Sequence, residues 1–331
     1  MKTRAESEKK SDIGAYILLI LTAIIWGGTW PVGRWLVSEE VGGDTIPPMM
    51  IAAVRYFIAL VCFLVILRWR EEKINVRFVK QHWKIFVFMS LTSVTIYQIG
   101  YLFGEYYTSA SDASVIISIQ PILIMILAVF ALRMESINKR KVIGTVLSFL
   151  GVVIIFSFSP NEVVPDRFLG NLLIILAAIS YSMYVVASKY FFNECEKGSF
   201  QPSSLYVLSW VSIIGFITTY PIAVILNPEY LNPVLYFQIP DRVWLGIGYL
   251  AILSTIGGYW GYLEGVKRLG ATRAAIFQNF VPPIGVFLSV ILLAEKFDFL
   301  IHASSIILIL SGIALVNSSR SKTNTLISSS E

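Results

Sequence analysis

Apolar stretches about as long as a bilayer is thick recur along the whole chain, and no other sequence feature constrains the fold so tightly. A helix needs about 20 mostly apolar residues to cross the hydrocarbon core of a membrane. Ten such stretches, each bounded by charges, prolines or polar clusters, run over 13–37, 47–68, 83–104, 110–132, 142–159, 168–191, 203–226, 243–264, 272–294 and 299–317. Only 14% of the 331 residues are charged and 56% are hydrophobic, whereas a soluble domain carries about 25% charged residues. A mean hydropathy of +0.72 leaves too little charge to cover a soluble surface. The expected fold is therefore an all-α integral membrane protein with ten transmembrane helices.

The connections are short, so no loop can hold a soluble domain. Residues 1–12 and the serine-rich 318–331 are expected to be solvated tails. The longest connection, Asn227 to Pro240, carries Pro228, Pro233 and Pro240 and is expected to stay outside any helix. The first stretch has the charged start of a signal peptide, but it continues past Trp26 to Val37 without a small-residue cleavage site, so it is expected to be retained. With an even number of spans both termini share one side. All lysines and arginines fall on that side except Arg34, Arg167, Arg242 and Lys296 opposite, and Arg55 inside a span. The positive-inside rule then puts both termini in the cytoplasm. The net charge of +5 is explained by this topology, and a nucleic-acid partner is not expected. Cys62 and Cys195 make no disulfide framework, and His82 and His302 are too far apart in sequence to build a metal site alone. No cofactor and no metal are expected. An enzyme is disfavoured for want of any HExxH, P-loop or Ser–His pattern. A receptor or scaffold would bind without moving its ligand.

The chain repeats itself. At a spacing of 155, Trp26 meets Tyr181 and Arg34-Trp35 meets Lys189-Tyr190. At a spacing of 161, Ala110, Ala113 and Pro121 meet Ala271, Ala274 and Pro282. Five helices per half is an odd number, so the second half (168–317) enters the membrane upside down relative to the first (13–159). Inverted repeats of this kind are a recurrent plan of secondary transporters, with the substrate near the midplane between the halves. The stretches Tyr107-Thr-Ser-Ala-Ser-Asp-Ala-Ser-Val-Ile-Ile-Ser-Ile-Gln-Pro121 and Arg268-Leu-Gly-Ala-Thr-Arg-Ala-Ala-Ile-Phe-Gln-Asn-Phe-Val-Pro282 resemble the fourth-helix motif of the drug/metabolite transporter superfamily, EamA type, and its second-half counterpart. Trp26-Gly27, Arg55, Glu135 and Glu295 fall where that family tends to carry Trp-Gly, an arginine and two glutamates. The spacing from Pro121 to Glu135 is one residue longer than that from Pro282 to Glu295. The resemblance covers residues 15–317. It implies transport of small metabolites, and the family moves amino acids, sugars, nucleotide derivatives and other compounds.

Arg55 lies about 4 Å from the centre of its span at 1.5 Å per residue. An arginine there must face the bundle interior, a partner or water. Its planar fork suits a carboxylate or phosphate, and a structural tie to helix carbonyls, Glu105 or Asp112 is the alternative. Trp26, Trp30, Gln98, Tyr101, Tyr181, Trp260, Gln278 and Asn279 are the other candidate substrate contacts. Each could equally serve helix packing or the membrane interface. Gly27, Gly28 and Pro31 are expected to loosen the first helix, and Pro121 and Pro282 to bend the fourth and ninth around a cavity. No Asp or Glu lies in the middle third of any span. The resemblance makes this notable, since the small multidrug resistance relatives use a glutamate in their first helix. A facilitator or exchanger of amino acids or related zwitterions and anions is therefore expected, ahead of a nucleotide-sugar carrier or a proton-coupled drug and cation exporter. The expected location is the plasma (inner) membrane. Lipid and a small-molecule substrate are the expected partners, and the sequence is compatible with a monomer or a homodimer.

Overall fold

A computed structural model describes residues 2–41, 43, 46–69, 75–132, 139–158, 164–198 and 200–318. Among these residues every regular element is helical. The principal segments are α1 (Lys2–Val37), α2 (Pro48–Trp69), α3 (Trp83–Tyr107), α4 (110–132), α5 (Lys139–Phe158), α6 (Arg167–Glu196), α7 (Ser204–Leu226), α8 (Asp241–Leu269), α9 (271–293) and α10 (Phe299–Ser318). Seven of them, namely α1 to α4 and α6 to α8, are long and apolar enough to cross a membrane. The other three contain shorter apolar helices, Val142–Ile155, Phe277–Leu293 and Phe299–Leu315. Large apolar side chains such as Ile17, Leu21, Phe287, Ile291 and Leu292 lie exposed on the outside of the bundle. That surface suits lipid, because the backbone groups along the body of a helix are satisfied within their own segment. The chain is a multi-pass integral membrane protein.

Packing follows a rule. Helix α1 packs on α8 and α9, and α6 packs on α3 and α4; α2 pairs with α7, α4 with α9, and α5 with α10. Exchanging the first five helices for the last five leaves this pattern unchanged. The atomic contacts repeat as well. A Cβ added at Gly100 of α3 would meet Leu173 and Ala177 of α6, and one at Gly261 of α8 would meet Leu18 and Thr22 of α1. Gly104 lies against Ile174, as Gly265 lies against Leu19. Glycine pairs four residues apart let two helices approach closely in lipid, where van der Waals packing replaces the hydrophobic effect.

The interior divides into two apolar clusters stacked along the helices. One holds Leu19, Phe63, Phe86, Tyr184, Leu208 and Tyr262; the other holds Trp30, Met50, Tyr101, Ile116, Ile247 and Val286. Trp26 and Tyr97 pack against both clusters and mark the seam.

Three local expectations meet different outcomes. Helix α1 is continuous through Gly27, Gly28 and Pro31 rather than broken. The glycines instead admit Ile284 of α9 and the Tyr249 hydroxyl of α8, and Tyr249 donates to the Ile25 carbonyl at 2.6 Å. The connection 227–240 is not free of helix: a 3₁₀ turn, Pro228–Leu231, and a short helix, Val234–Gln238, fill it. Proline is tolerated at the first position of such a turn, so Pro228 and Pro233 start these pieces rather than prevent them. Pro121 and Pro282 do mark irregularity, each preceded by a 3₁₀ turn, Ile117–Ile119 in α4 and Phe277–Phe280 in α9. Glu135 lies outside the described residues.

Candidate functional site

At the seam between the two apolar clusters lies a narrow cavity with room for little more than a water molecule. It is lined by Trp26, Thr29 and Trp30 of α1, Arg55 of α2, Tyr97 of α3, Ile117, Ser118 and Gln120 of α4, Tyr181 of α6, Ser254 and Tyr259 of α8, and Gln278 and Val281 of α9. No lining side chain is exposed. Two irregular backbones border it: α3 carries π-helical turns at Leu91–Thr95 and Ile99–Phe103, and α8 is π-helical over Tyr249–Tyr259. Such turns are rare and frequent at functional sites, because the wider coil re-aims side chains and leaves carbonyls for other donors.

Arg55 is 1% exposed. Its Nε donates to the Thr255 hydroxyl at 2.6 Å and its Nη2 to the Ser254 hydroxyl at 3.2 Å. Its Nη1 has no partner. The guanidinium is thus held by neutral hydroxyls of α8, and neither Glu105 nor Asp112 forms its counter-ion. Asp112 is paired with Arg167 at 2.7 Å. A buried cation supported on one edge by hydroxyls and open on another is suited to an anionic group.

The rest of the wall is aromatic and amide. Trp26 meets Tyr181 and Tyr259 edge-on, with ring centroids 5.8 and 5.6 Å apart, and its Nε1 donates to the Ser254 carbonyl at 3.2 Å. Thr29 is within 3.2 Å of the Ser254 hydroxyl. Besides Arg55 Nη1, the Trp30 Nε1, the Tyr181 hydroxyl and both amide atoms of Gln278 lack partners. Buried polar atoms in native structures are nearly always satisfied. Four unpartnered groups from α1, α2, α6 and α9 around one cavity are therefore available to a ligand or to water.

Five of the residues singled out in the sequence, Arg55, Trp26, Trp30, Tyr181 and Gln278, meet at this cavity. The others lie outside it. Tyr101 stands behind Trp30 and donates to the Thr29 carbonyl at 2.7 Å. Gln98 is fully buried beside the Tyr56 hydroxyl, Trp260 packs on the apolar cluster around Tyr184, and Asn279 is half-buried outside the lining. The hydroxyls that hold Arg55, on Ser254 and Thr255, were not among the candidates. A Ser-Thr pair in the middle of an apolar span was the available signal.

A second polar region occupies the end of the bundle where α1 and α3 finish. Arg34 donates to the carbonyls of Glu105 and Tyr106 at 2.7 Å each and pairs with Glu40 at 2.6 Å. Ala294 adopts a left-handed φ of 53° that ends α9. Glu295 then reaches the first turn of α4, accepting from the amides of Ala110 at 2.8 Å and Ser111 at 2.9 Å and from the Ser111 hydroxyl. A carboxylate there satisfies amides that a helix start leaves unpaired. Burial pushes the Glu295 carboxyl above the usual carboxylate range, opposed by the hydrogen bonds from Ser111 and Ala110 and by the charge of Arg34.

Known proteins give this architecture a family. The chain is 29% identical over 307 residues to the "Uncharacterized transporter YetK" of Bacillus subtilis, an alignment covering 92% of this chain and 87% of that protein. An "Uncharacterized transporter" of Archaeoglobus fulgidus is 28% identical, covering 85% of this chain and 90% of its own length. The "Probable amino-acid metabolite efflux pump" of Escherichia coli is 25% identical, over 85% of this chain and 87% of its own length. A solved crystal structure superposes with a TM-score of 0.58 at 18% identity, spanning 91% of this chain and 95% of that one, which supports the fold. The EamA-like transporter family matches twice, over residues 13–157 and 168–318, and the chain belongs to that family of membrane transporters.

Proposed function

We propose that the protein carries a small zwitterionic or anionic metabolite, of the amino-acid class, across the plasma (inner) membrane by alternating access. In this reading α1–α5 and α6–α10 are two inverted repeats of five spans each, and both termini are cytoplasmic. The exchangeable helix pairing and the matched contacts of Gly100 and Gly261 support the repeat. The observation that carries the functional reading is the seam cavity: it lies between the two apolar clusters, and Arg55, Trp30, Tyr181 and Gln278 hold unpartnered polar atoms around it. A polar pocket between two like halves is where a carrier of this plan holds its substrate, and this one would widen to admit it. The free edge of Arg55 would take a carboxylate, and the Trp26, Tyr181 and Tyr259 rings would take the remainder of the ligand. The name of the Escherichia coli relative agrees with that class.

The test is flux. Proteoliposomes loaded with a pool of labelled amino acids and organic anions should release at least one compound saturably, and empty liposomes should not. Saturable binding without release would instead support a receptor.

A further inference from the structure

The polar end of the bundle holds a group that the central site does not use. Glu105, near the end of α3, is 0% exposed, and neither carboxylate oxygen has a hydrogen-bond partner. Its surroundings can be named element by element. Arg34 of α1 binds the backbone carbonyl of Glu105 through Nη1 and the Glu40 carboxylate through Nη2, and its Nε makes no hydrogen bond, to Glu105 or to any other group. Glu295, in the turn after α9, is a second carboxylate at this end, and its own oxygens are occupied by the start of α4. Asp112 of α4 is paired with Arg167 of α6, with the ring Nε2 of His302 of α10 at 3.8 Å from it. α2 presents no charge to this end among the described residues, its Arg55 lying at the central cavity.

Glu40 is paired with Arg34, Asp112 with Arg167, and Glu295 with the start of α4, whereas the Glu105 oxygens receive no hydrogen bond. An ionised carboxylate with no donor in a dry interior is far costlier than a neutral one. The missing partner is best supplied by a proton.

We infer that Glu105 is a proton-binding site, and that its protonation is required to close this end of the carrier. The inference rests on the alternating-access reading, in which this end faces the outside. When the end opens, water reaches the carboxyl and the proton leaves to the external solution. Reclosure takes one proton back from the same side. Since the group lies beyond the central cavity and behind the apolar cluster around Tyr101 and Met50, it has no route to the inner face. The proton is therefore returned to the side it came from. External alkalinity favours the outward-open form, external acidity the closed one, and no net proton flux accompanies transport.

The test reads the proton and the gate separately from flux. Infrared spectra of the full-length wild type at neutral pH should show a protonated-carboxyl stretch that titrates away on alkalinisation, and Glu105→Gln should lack that component. For the gate, Leu102→Cys in a background free of the native cysteines places a thiol in the cluster beneath Glu105. Its labelling by an impermeant maleimide from outside should rise with pH at least several-fold more in the Glu105 protein than with Glu105→Gln added. Absence of the protonated band from the wild type overturns the inference without any variant. Its persistence in Glu105→Gln overturns it too, as does an identical pH profile of labelling in the two proteins. Failure of all flux with these signatures present would count against the carrier reading and leave the proton site standing.

Discussion

Trp26 and Tyr181, which occupy matching places in the two halves of the chain, meet each other edge-on with ring centroids 5.8 Å apart. The repeat therefore closes on itself at the cavity. Each half contributes its equivalent aromatic to one wall, and a ligand between the halves would be felt by both. Edge-to-face pairs of this kind contribute roughly 0.5–1.5 kcal/mol beyond burial, a cost small enough for a ligand to offset when it separates them. Trp26→Phe keeps a ring in this wall and should weaken substrate binding; Trp26→Ala should in addition lower the thermal midpoint in detergent, because emptying a packed Trp site costs about 3–5 kcal/mol. Unchanged binding in a folded Trp26→Phe protein would assign Trp26 to the scaffold instead.

Thr255 holds Arg55 through its Nε at 2.6 Å without lining the cavity itself. Thr255→Val keeps the shape and removes the acceptor. The guanidinium loses a fixed orientation but not its charge, so KM should rise about 10-fold, as the loss of one hydrogen bond to a charged group implies, with the maximal rate changed less. Thr255→Ser should restore the wild-type value. Equal losses in the valine and serine variants would contradict a positioning role.

The glycine contacts make a paired prediction. A methyl group on Gly100 would come 2.6 Å from the Leu173 carbonyl oxygen, a backbone atom, while one on Gly261 would come 2.6 Å from the Thr22 hydroxyl, a side chain that can rotate. Overpacking costs typically about 1–3 kcal/mol. Gly100→Ala should stand toward the upper end and Gly261→Ala toward the lower, measured by unfolding in detergent. The reverse order would show that the matched interfaces are not the close approaches described.

Glu295 gives a pH signature. Its carboxyl is held above the usual range by burial, so folding favours its protonated form. That contribution is fully present below the unfolded-state value and is lost as pH rises through the raised folded one. Wild-type stability should fall over that window, and Glu295→Gln should flatten part of the fall. Glu295→Ala should in addition destabilise by about 1 kcal/mol through loss of the α4 cap. An unchanged slope in Glu295→Gln would mean that other groups set the pH dependence.

Much of this architecture was legible because lipid imposes a strong code. Apolar runs near bilayer length marked the helices, and Pro121 and Pro282 marked the irregular turns of α4 and α9. Arg55 stood out because a mid-span arginine is costly anywhere but the interior. What was hidden depended on rotation about helix axes, which an apolar sequence barely specifies. Tyr101 and Tyr97 are one turn apart, yet only Tyr97 lines the cavity. Gly27, Gly28 and Pro31 carry the composition of a break, but tight packing against Ile284 and Tyr249 keeps α1 continuous. Glu105 looked peripheral near a span end, and only its complete burial sets it apart.

The most direct measurement of the central claim is efflux of the transported compound from proteoliposomes containing wild type, Arg55→Lys or Arg55→Ala, each shown to be folded by its thermal midpoint. Loss of a charge-assisted contact worth about 1.5–3 kcal/mol predicts that Arg55→Ala reduces Vmax/KM about 10-fold to more than 100-fold. Arg55→Lys, a point charge without the planar fork, should fall between. Efflux by a folded Arg55→Ala at the wild-type rate would contradict the account, leaving Arg55 a tie between α2 and α8 rather than a substrate ligand.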